Sequence, residues 1–137
     1  IDALDINEDQ KYNIIVIDSP CSSIGTIRRH PEILFRNNKT NLKEYIILQK
    51  KLLEKASKLI NKNGIIIYMV CSFLKSETTM QIDNFLKKND NFSIEKFENN
   101  LANDKLINDN GFIDILPREH SGFLIDGFFA VKFIKND

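Results

Sequence analysis

The sequence predicts an α/β domain, in which the strands of a largely parallel sheet alternate with helices. Two short runs rich in β-branched residues, at 12–17 and 65–70, are typical of strands buried on both faces of such a sheet. Apolar residues recur at spacings of three and four over 41–60, which is the period of an amphipathic helix. With the elements predicted further along, the order becomes strand, helix, strand, helix, strand, which is that of an α/β sheet.

The ends of the helices are predicted from their flanking residues. Asn63-Gly64 supplies a stop for the first helix, because glycine and asparagine adopt the left-handed conformation at helix C-termini. A second helix is predicted over residues 77–88, and Ser76 is its candidate N-cap.

The last third of the chain is predicted to complete the sheet. Residues 92–97 alternate Phe and Ile with polar residues and indicate a third strand. Residues 99–111 are polar and are predicted to be irregular, and a last strand is predicted over 127–134. Too few residues lie between residue 111 and the last strand for a helical crossover, so we expect the last strand to enter the sheet antiparallel.

Composition indicates a single globular domain of 137 residues, with 42% apolar and 28% charged residues. The 19 basic and 19 acidic side chains cancel, so the whole-chain basic excess typical of many nucleic-acid binders is absent, although a local basic patch is allowed. No apolar stretch approaches the roughly 18 to 20 residues of a membrane span, and no signal peptide precedes the first strand. We therefore expect a cytoplasmic protein with no membrane partner.

The two cysteines of the chain stand at equivalent places, each directly after a predicted strand. Cys21 lies in DSPCSS and Cys71 lies in MVCSF. Ligands of open α/β sheets collect beyond the carboxyl ends of the strands, so neighbouring strands would bring both thiols into one site. No C-x-x-C is present, and His30 and His120 stand at no ligand spacing to the cysteines, so no metal is expected.

Three stretches of the chain carry a common signature: DSPCSSIGTIRRHPE (18–32), YMVCS (68–72) and IDGFFAVKF (125–133). Together they resemble the RNA cytosine-C5 methyltransferases of the Sun/Nop/Fmu type, in particular the bacterial ribosomal RNA branch, over essentially the whole chain. The resemblance implies a Rossmann-like methyltransferase fold and the cofactor S-adenosylmethionine. It also implies an RNA substrate, which is ribosomal RNA in that branch, and a full-length protein that is a monomer. Ser19 and Val70 depart from the family's usual alanine and threonine.

The chain begins with IDALDI, without an initiator methionine. The resemblance also implies a glycine-rich cofactor loop and an acid that holds the ribose, and neither is found in this sequence. We therefore expect residues 1–137 to be the C-terminal part of a single methyltransferase catalytic domain, whose N-terminal cofactor-loop half is absent.

The resemblance implies roles for individual residues. Cys71 matches the nucleophile, which adds to carbon-6 of cytosine because carbon-5 alone is a poor nucleophile. Cys21 matches the cysteine that assists release, and Asp18 would hydrogen-bond the cytosine ring and border the cofactor. Asp2 matches an acid at the adenine end of the cofactor, and a solvated loop acid is an equally good interpretation.

Arg28, Arg29 and His30 form a basic run just after the first cysteine, and they are the candidate RNA-binding residues. Side chains of this kind grip phosphates on either side of a splayed-out nucleotide. The alternative is an ordinary solvated surface.

Two other functions stay open from the sequence. A non-catalytic RNA-binding or scaffold remnant would keep the fold without turnover. A thiol redox module would close a disulfide between Cys21 and Cys71, although redox motifs normally keep both thiols close in sequence. A single free cysteine is most often structural, but two thiols at neighbouring strand ends, each followed by serine, favour catalysis.

Overall fold

The computed structural model describes residues 2–35, 38–98, 106–120 and 122–136. Its strands and α-helices are β1 (Tyr12–Asp18), α1 (Asn38–Leu59), β2 (Ile60–Val70), α2 (Thr79–Lys88), β3 (Phe92–Ile94), β4 (Ile113–Ile115), β5 (Arg118–His120), β6 (Phe123–Ile125) and β7 (Phe128–Lys135). Short 3-10 helices lie at Ala3–Asp5, Ile24–Thr26 and Pro31–Phe35. Helix α1 packs on β1 and β2 and also contacts α2.

The main sheet has the order β1-β2-β7-β3, and the short strand β4 pairs with the other end of β7. β1 and β2 are parallel, whereas β7 is antiparallel to both β2 and β3. β3 therefore runs parallel to β1 and β2, with β7 inserted between β2 and β3 in the opposite direction. The predicted α/β class and the antiparallel entry of the last strand are both confirmed.

The core is centred on β2 and β7. Phe129, Val131 and Phe133 of β7 are fully buried. The ring of Phe85 on α2 lies 4.8 Å from that of Phe133 and 5.1 Å from that of Phe92, measured between centroids. These aromatic contacts fix α2 and β3 against the centre of the sheet.

The predicted stop of the first helix is wrong. Helix α1 ends at Leu59, and Asn63 and Gly64 lie inside β2. The register of β1 against β2 shifts at this point, and Asn63 has a φ of 58°. The left-handed conformation that Asn-Gly favours is therefore used for an irregularity in the strand and not for a helix end.

Ser76 is not the N-cap of the second helix. Helix α2 begins at Thr79 with Thr78 at the N-cap, and the Thr78 side chain makes no capping hydrogen bond. Its hydroxyl donates instead to the Leu74 carbonyl oxygen at 3.0 Å, and the Glu77 N–H donates to the same oxygen at 2.9 Å. This turn delays the start of the helix beyond the predicted residue.

The last third of the chain differs in detail from the prediction. β3 ends at Ile94, although the Glu95 N–H still donates to the Lys132 carbonyl oxygen at 2.9 Å. Within the predicted irregular segment, residues 99–105 lie outside the described residues, and Ile107 forms an isolated bridge with Ile113. The sequence did not predict β4 or the hairpin of β5 and β6.

β1 is not buried on both faces as predicted. Ile14 and Val16 are 61% and 56% exposed, whereas Ile17 is 8% exposed. β1 is an edge strand of the described sheet, and the face that carries Ile14 and Val16 stays open. Among the described residues, neither α-helix combines the length and the hydropathy that a bilayer crossing requires.

Candidate active site

The two thiols meet at the carboxyl ends of β1 and β2. These strands are adjacent and parallel, so the loops that leave them start side by side. The Ser19 N–H donates to the Met69 carbonyl oxygen at 3.0 Å, just before the loops diverge. The Sγ atoms of Cys21 and Cys71 then lie 3.3 Å apart, and both cysteines are free thiols.

The thiols differ in exposure and in acidity. Cys21 is buried, and Cys71 is only partly covered. The hydrogen bond with Cys21, assisted by the Ser23 hydroxyl 3.4 Å from the Cys71 Sγ, lowers the pKa of Cys71 to about 6. The same thiol-thiol hydrogen bond, reinforced by burial, raises the pKa of Cys21. The direction of these pKa shifts favours the thiolate form of Cys71 and the thiol form of Cys21.

Backbone contacts tie a third loop to this pair. The Gly25 N–H donates to the Cys71 carbonyl oxygen at 3.0 Å, and the Gly127 N–H donates to the Gly25 carbonyl oxygen at 2.8 Å. A Cβ on Gly25 would lie 2.2 Å from the Gly127 carbonyl oxygen, so this position has no room for a side chain. The IDGFF segment (125–129), one of the stretches that carry the family resemblance, thereby reaches the thiol site.

The two acids predicted to hold a cofactor, Asp2 and Asp18, line one cavity of about 430 Å³. The Asp2 carboxylate also accepts the Leu4 N–H at 2.9 Å, which fixes its position at the 3-10 helix Ala3–Asp5. Neither cysteine lines the cavity, although Pro20, next to Cys21, does. Within the described chain, no three His, Cys, Asp or Glu side chains converge on a position that could hold a metal ion. The apolar walls of the cavity come from β1 and α1: Ile15, Ile17, Leu48, Leu52, Ala56 and Leu59.

The arginines predicted to bind RNA are paired with a carboxylate. Arg28 Nη2 lies 3.3 Å from Asp126 Oδ1, and Arg29 Nε donates to Asp126 Oδ2 at 2.7 Å. Hydrogen bonding to Arg29 lowers the pKa of Asp126. The arginine side chains remain 37% and 55% exposed, and His30 Nδ1 lies 3.2 Å from a Glu32 carboxylate oxygen. A phosphate at this surface would have to share the two guanidinium groups with Asp126.

Sequence reasoning missed a group of buried polar residues that joins the two thiol loops. Glu77, Gln49 and Ser72 are each 0% exposed. The Glu77 carboxylate accepts hydrogen bonds from the hydroxyls of Ser22 and Ser72, both at 2.6 Å. No local pattern marks Glu77 or Gln49, and the repeated Cys-Ser pair was the only signal that the two loops have a common partner.

Comparison with known proteins indicates one family. The family model described as 16S rRNA methyltransferase RsmB/F matches residues 2–134. The chain is 33% identical over 129 residues to the ribosomal RNA small subunit methyltransferase B of Pectobacterium atrosepticum, a match that covers 94% of this chain and 28% of that protein. The protein of the same name from Photorhabdus laumondii is 31% identical over 128 residues, or 93% of this chain and 27% of that protein. The chain therefore spans about a quarter of the length of these curated relatives.

A solved structure shares the fold. The crystal structure of NSun6 from Pyrococcus horikoshii with SFG matches with a TM-score of 0.79, over 100% of this chain and 34% of that chain. The identity is 20%, so this similarity concerns the fold alone. The predicted Rossmann-like methyltransferase fold is confirmed.

Proposed function

The chain belongs to the 16S rRNA methyltransferase RsmB/F family, and we propose on that premise that it is part of an enzyme that methylates carbon-5 of a cytosine in ribosomal RNA. The observation that carries the proposal is the thiol pair at the ends of β1 and β2. Cys71 is partly exposed, and its Sγ lies 3.3 Å from that of Cys21. A thiolate beside a thiol donor suits both addition to a pyrimidine ring and release from it.

Residues 1–137 would form the C-terminal part of a single catalytic domain. The chain matches 27% and 28% of the two curated relatives, so a cofactor loop would have room in other parts of such proteins. The open edge of β1 offers a place where further strands of the sheet would pair. The full-length enzyme would act as a monomer in the cytoplasm, where ribosomal RNA is found.

The cavity between β1 and α1 suits the adenosine part of S-adenosylmethionine. Its apolar walls fit a flat aromatic ring, and the carboxylates of Asp2 and Asp18 can accept hydrogen bonds from amino and hydroxyl groups. Asp2 would contact the adenine end, and Asp18 would stand between the cofactor and the base. When bound, the cofactor supplies the methyl group. The structural neighbour NSun6 was solved with SFG, an analogue of S-adenosylmethionine, which supports the same class of cofactor.

The first chemical step is addition of the Cys71 thiolate to the base. A bond forms between Sγ and carbon-6, and the electron pair of the C5–C6 double bond becomes available at carbon-5, which then accepts the methyl group. Asp18 would accept a hydrogen bond from the protonated ring nitrogen, which favours the positive charge there and makes carbon-6 more electrophilic.

Release reverses the addition. Carbon-5 then carries both the methyl group and its original hydrogen, and this hydrogen leaves as a proton to water. Its electron pair re-forms the C5–C6 double bond, and the bond between carbon-6 and the Cys71 sulfur breaks. The protonated Cys21, 3.3 Å away, stabilises the departing thiolate by hydrogen bonding.

The surface beside the thiols would bind the RNA backbone. Arg28 and Arg29 are partly exposed and are tied through Asp126 to the segment that contacts Gly25. Phosphates flanking a splayed-out cytosine would accept hydrogen bonds from these guanidinium groups in place of the Asp126 carboxylate. His30 would lie at the edge of the same surface.

A chimera tests the roles of the cysteines. The chain replaces the matching segment of the Pectobacterium atrosepticum relative, and the chimera is incubated with 16S ribosomal RNA and S-adenosylmethionine that carries a labelled methyl group. We expect methylation by the unmodified chimera and none by Cys71→Ala. We expect Cys21→Ala to accumulate a protein–RNA adduct that survives denaturing electrophoresis, because addition by the remaining Cys71 thiolate is slower but still occurs, whereas release is impaired.

Two controls accompany this experiment. The intact relative is the positive control, and thermal unfolding of each variant shows that it is folded. Full methylation by Cys71→Ala would contradict the assignment of the nucleophile. RNA binding without methylation by the unmodified chimera would favour a non-catalytic remnant of the fold.

A thiol redox module is the second candidate function, and the short distance between the two sulfur atoms favours it. Such a module would form a disulfide between Cys21 and Cys71 during turnover. Mass spectrometry of the chain with and without reductant detects the loss of two hydrogens. A chimera that methylates RNA with both thiols reduced would exclude this candidate as the main function.

A further inference from the structure

Glu77 is a buried acid for which the proposed reaction has no direct use. It is 0% exposed and lies in the turn between β2 and α2. Its Oε1 accepts hydrogen bonds from the Ser22 N–H at 2.9 Å and from Gln49 Nε2 at 3.1 Å. Its Oε2 accepts hydrogen bonds from the hydroxyls of Ser22 and Ser72 at 2.6 Å each. Two donors for each oxygen match the capacity of a carboxylate.

The donors come from both thiol loops. Ser22 and Ser72 each follow one of the two cysteines, so each loop is attached to the same carboxylate one residue beyond its thiol. Gln49 of α1 extends the attachment, because its Nε2 also donates to the Pro20 carbonyl oxygen at 3.0 Å. The loop that carries Cys21 is therefore held on both sides of the thiol.

Glu77 and its partners are themselves held in place. The hydroxyl of Tyr68, a fully buried residue of β2, donates to the Glu77 carbonyl oxygen at 2.7 Å. Gln81 Nε2 of α2 donates to Gln49 Oε1 at 3.2 Å, which orients the amide that contacts Glu77. The carboxylate is thus a fixed point in a connected network, to which β2, α1 and α2 all contribute.

We propose that Glu77 is a positioning residue that fixes the two thiol loops relative to each other and thereby sets the separation of Cys21 and Cys71. None of its hydrogen bonds among the described residues reaches a sulfur atom, so it acts through the serines that follow the thiols. The purpose of this positioning rests on the proposed function, in which a nucleophile and a release thiol have to face one base. The proximity of the two thiols can be measured without RNA.

The test measures the proximity of the thiols in the 137-residue chain. Wild type, Glu77→Ala and Glu77→Gln are equilibrated in glutathione redox buffers well below the unfolding midpoint of each protein. One glutathione disulfide oxidises the two protein thiols to a disulfide and is reduced to two glutathione thiols. Mass spectrometry gives the fraction of disulfide, and hence the effective concentration of one thiol at the other.

We expect the effective concentration to fall about tenfold in Glu77→Ala and about threefold in Glu77→Gln, because the amide keeps the size and part of the hydrogen bonding. A residue that only stabilises the fold would lower the unfolding midpoint without changing this quantity in the folded protein. Partial rescue by glutamine therefore identifies a positioning role.

Glu54→Ala is the matched control. Glu54 lies on the surface of α1, where it pairs with Lys88 at 3.0 Å, and its removal should leave the effective concentration unchanged. An effective concentration equal to that of wild type in folded Glu77→Ala would overturn the proposal. If the alanine variant does not fold, the same result in Glu77→Gln would overturn it. Failure of the chimera to methylate RNA would count against the proposed function and would leave this result unaffected.

Discussion

The two thiols differ in acidity, and this difference supports the roles proposed for them. Cys71 is partly exposed, and its hydrogen bonds with Cys21 and Ser23 lower its pKa to about 6. Cys21 is buried, and its pKa is raised. In the proposed reaction, attack on the base is therefore assigned to Cys71, and Cys21 would keep the proton that stabilises the sulfur on release.

The alkylation rate of Cys71 should rise through a midpoint near pH 6, because only the thiolate reacts and its fraction grows as the pH passes the pKa. In Cys21→Ala the midpoint should move upward, toward the ordinary thiol value of about 8.5, because the strongest cause of the low pKa is removed. Brief labelling with iodoacetamide, followed by peptide mass spectrometry, measures both midpoints. Identical midpoints in the two proteins would contradict this account.

Ser19 carries a buried hydroxyl that has no hydrogen-bond partner among the residues described. Ser19→Ala should therefore leave the free energy of unfolding unchanged or raise it by up to about 1 kcal/mol. Ser22→Ala is the matched comparison, and it should lower the free energy of unfolding by about 1 to 2 kcal/mol, because its hydroxyl donates to Glu77. Urea unfolding measures both changes. A larger loss at Ser19 than at Ser22 would be the contrary result.

Individual site residues could be predicted where their place depends on strand ends. Cys21, Cys71 and Asp18 stand at or just beyond the ends of apolar runs, and the carboxyl ends of adjacent parallel strands meet. Glu77 could not be found this way. Its partners Ser22 and Gln49 stand 55 and 28 positions away along the chain, and only the folded chain brings their donors to one carboxylate.

At the scale of elements, the contact between Gly25 and Gly127 holds the loop before β7 against the loops that follow β1 and β2. Gly25→Ala should lower the free energy of unfolding by about 1 to 3 kcal/mol, because the new Cβ meets backbone atoms that cannot easily move. These atoms are the carbonyl oxygens of Gly127 at 2.2 Å and of Cys71 at 2.9 Å. Urea unfolding of the 137-residue chain provides the measurement.

Gly122→Ala is the comparison for this substitution. Gly122 lies next to β6 with a φ of 80°, and no described atom lies within 4 Å of its added Cβ. The change should therefore add only the strain of a left-handed residue, about 1 kcal/mol. A loss at Gly122 that exceeds the loss at Gly25 would show that steric contact between the loops is not limiting.

The existence of the helices was easier to predict than their ends. Apolar spacing identified α1 and α2, but Asn63-Gly64 has the same left-handed tendency in a strand irregularity as at a helix end. Only the pairing of β2 with β1 shows which use applies. β4, β5 and β6 are three residues long, which is too short for a period of two to be recognised, whereas the alternation that predicts β3 continues beyond its end to Phe97.

At the scale of the whole molecule, β1 leaves an edge and a face open in the described sheet. Ile14 and Val16 are 61% and 56% exposed, and edge strands with apolar side chains pair with strands of other molecules. The isolated chain should therefore self-associate as its concentration rises. The double variant Ile14→Lys with Val16→Lys should weaken this association, as measured by light scattering after size-exclusion chromatography.

Ile47→Lys is the control for this prediction. Ile47 is 55% exposed, but it lies on α1, whose backbone groups are paired within the helix. This variant should associate as strongly as wild type. Equal weakening by the helix and strand variants would assign the association to apolar surface in general and not to the edge of the sheet.

The fold class followed from the alternation of elements, and the direction of the last strand followed from the short chain before it. The position of that strand in the sheet could not be predicted. An antiparallel strand can lie at an edge or between two others, and the choice depends on packing such as that of Phe133 against Phe85. Those rings stand far apart in the sequence and meet only in the folded core.

The central place of β7 affects how the protein is made. A ribosome delivers β7 after both of its neighbours, β2 and β3, so the growing polypeptide exposes unpaired edges on either side of a gap. During that interval, other nascent chains and chaperones have access to surfaces that the finished molecule hides. A stop codon just before Phe128 would therefore remove the strand that joins β2 to β3. A truncation of the same length removes only an edge strand in a protein whose last strand lies at the edge of its sheet.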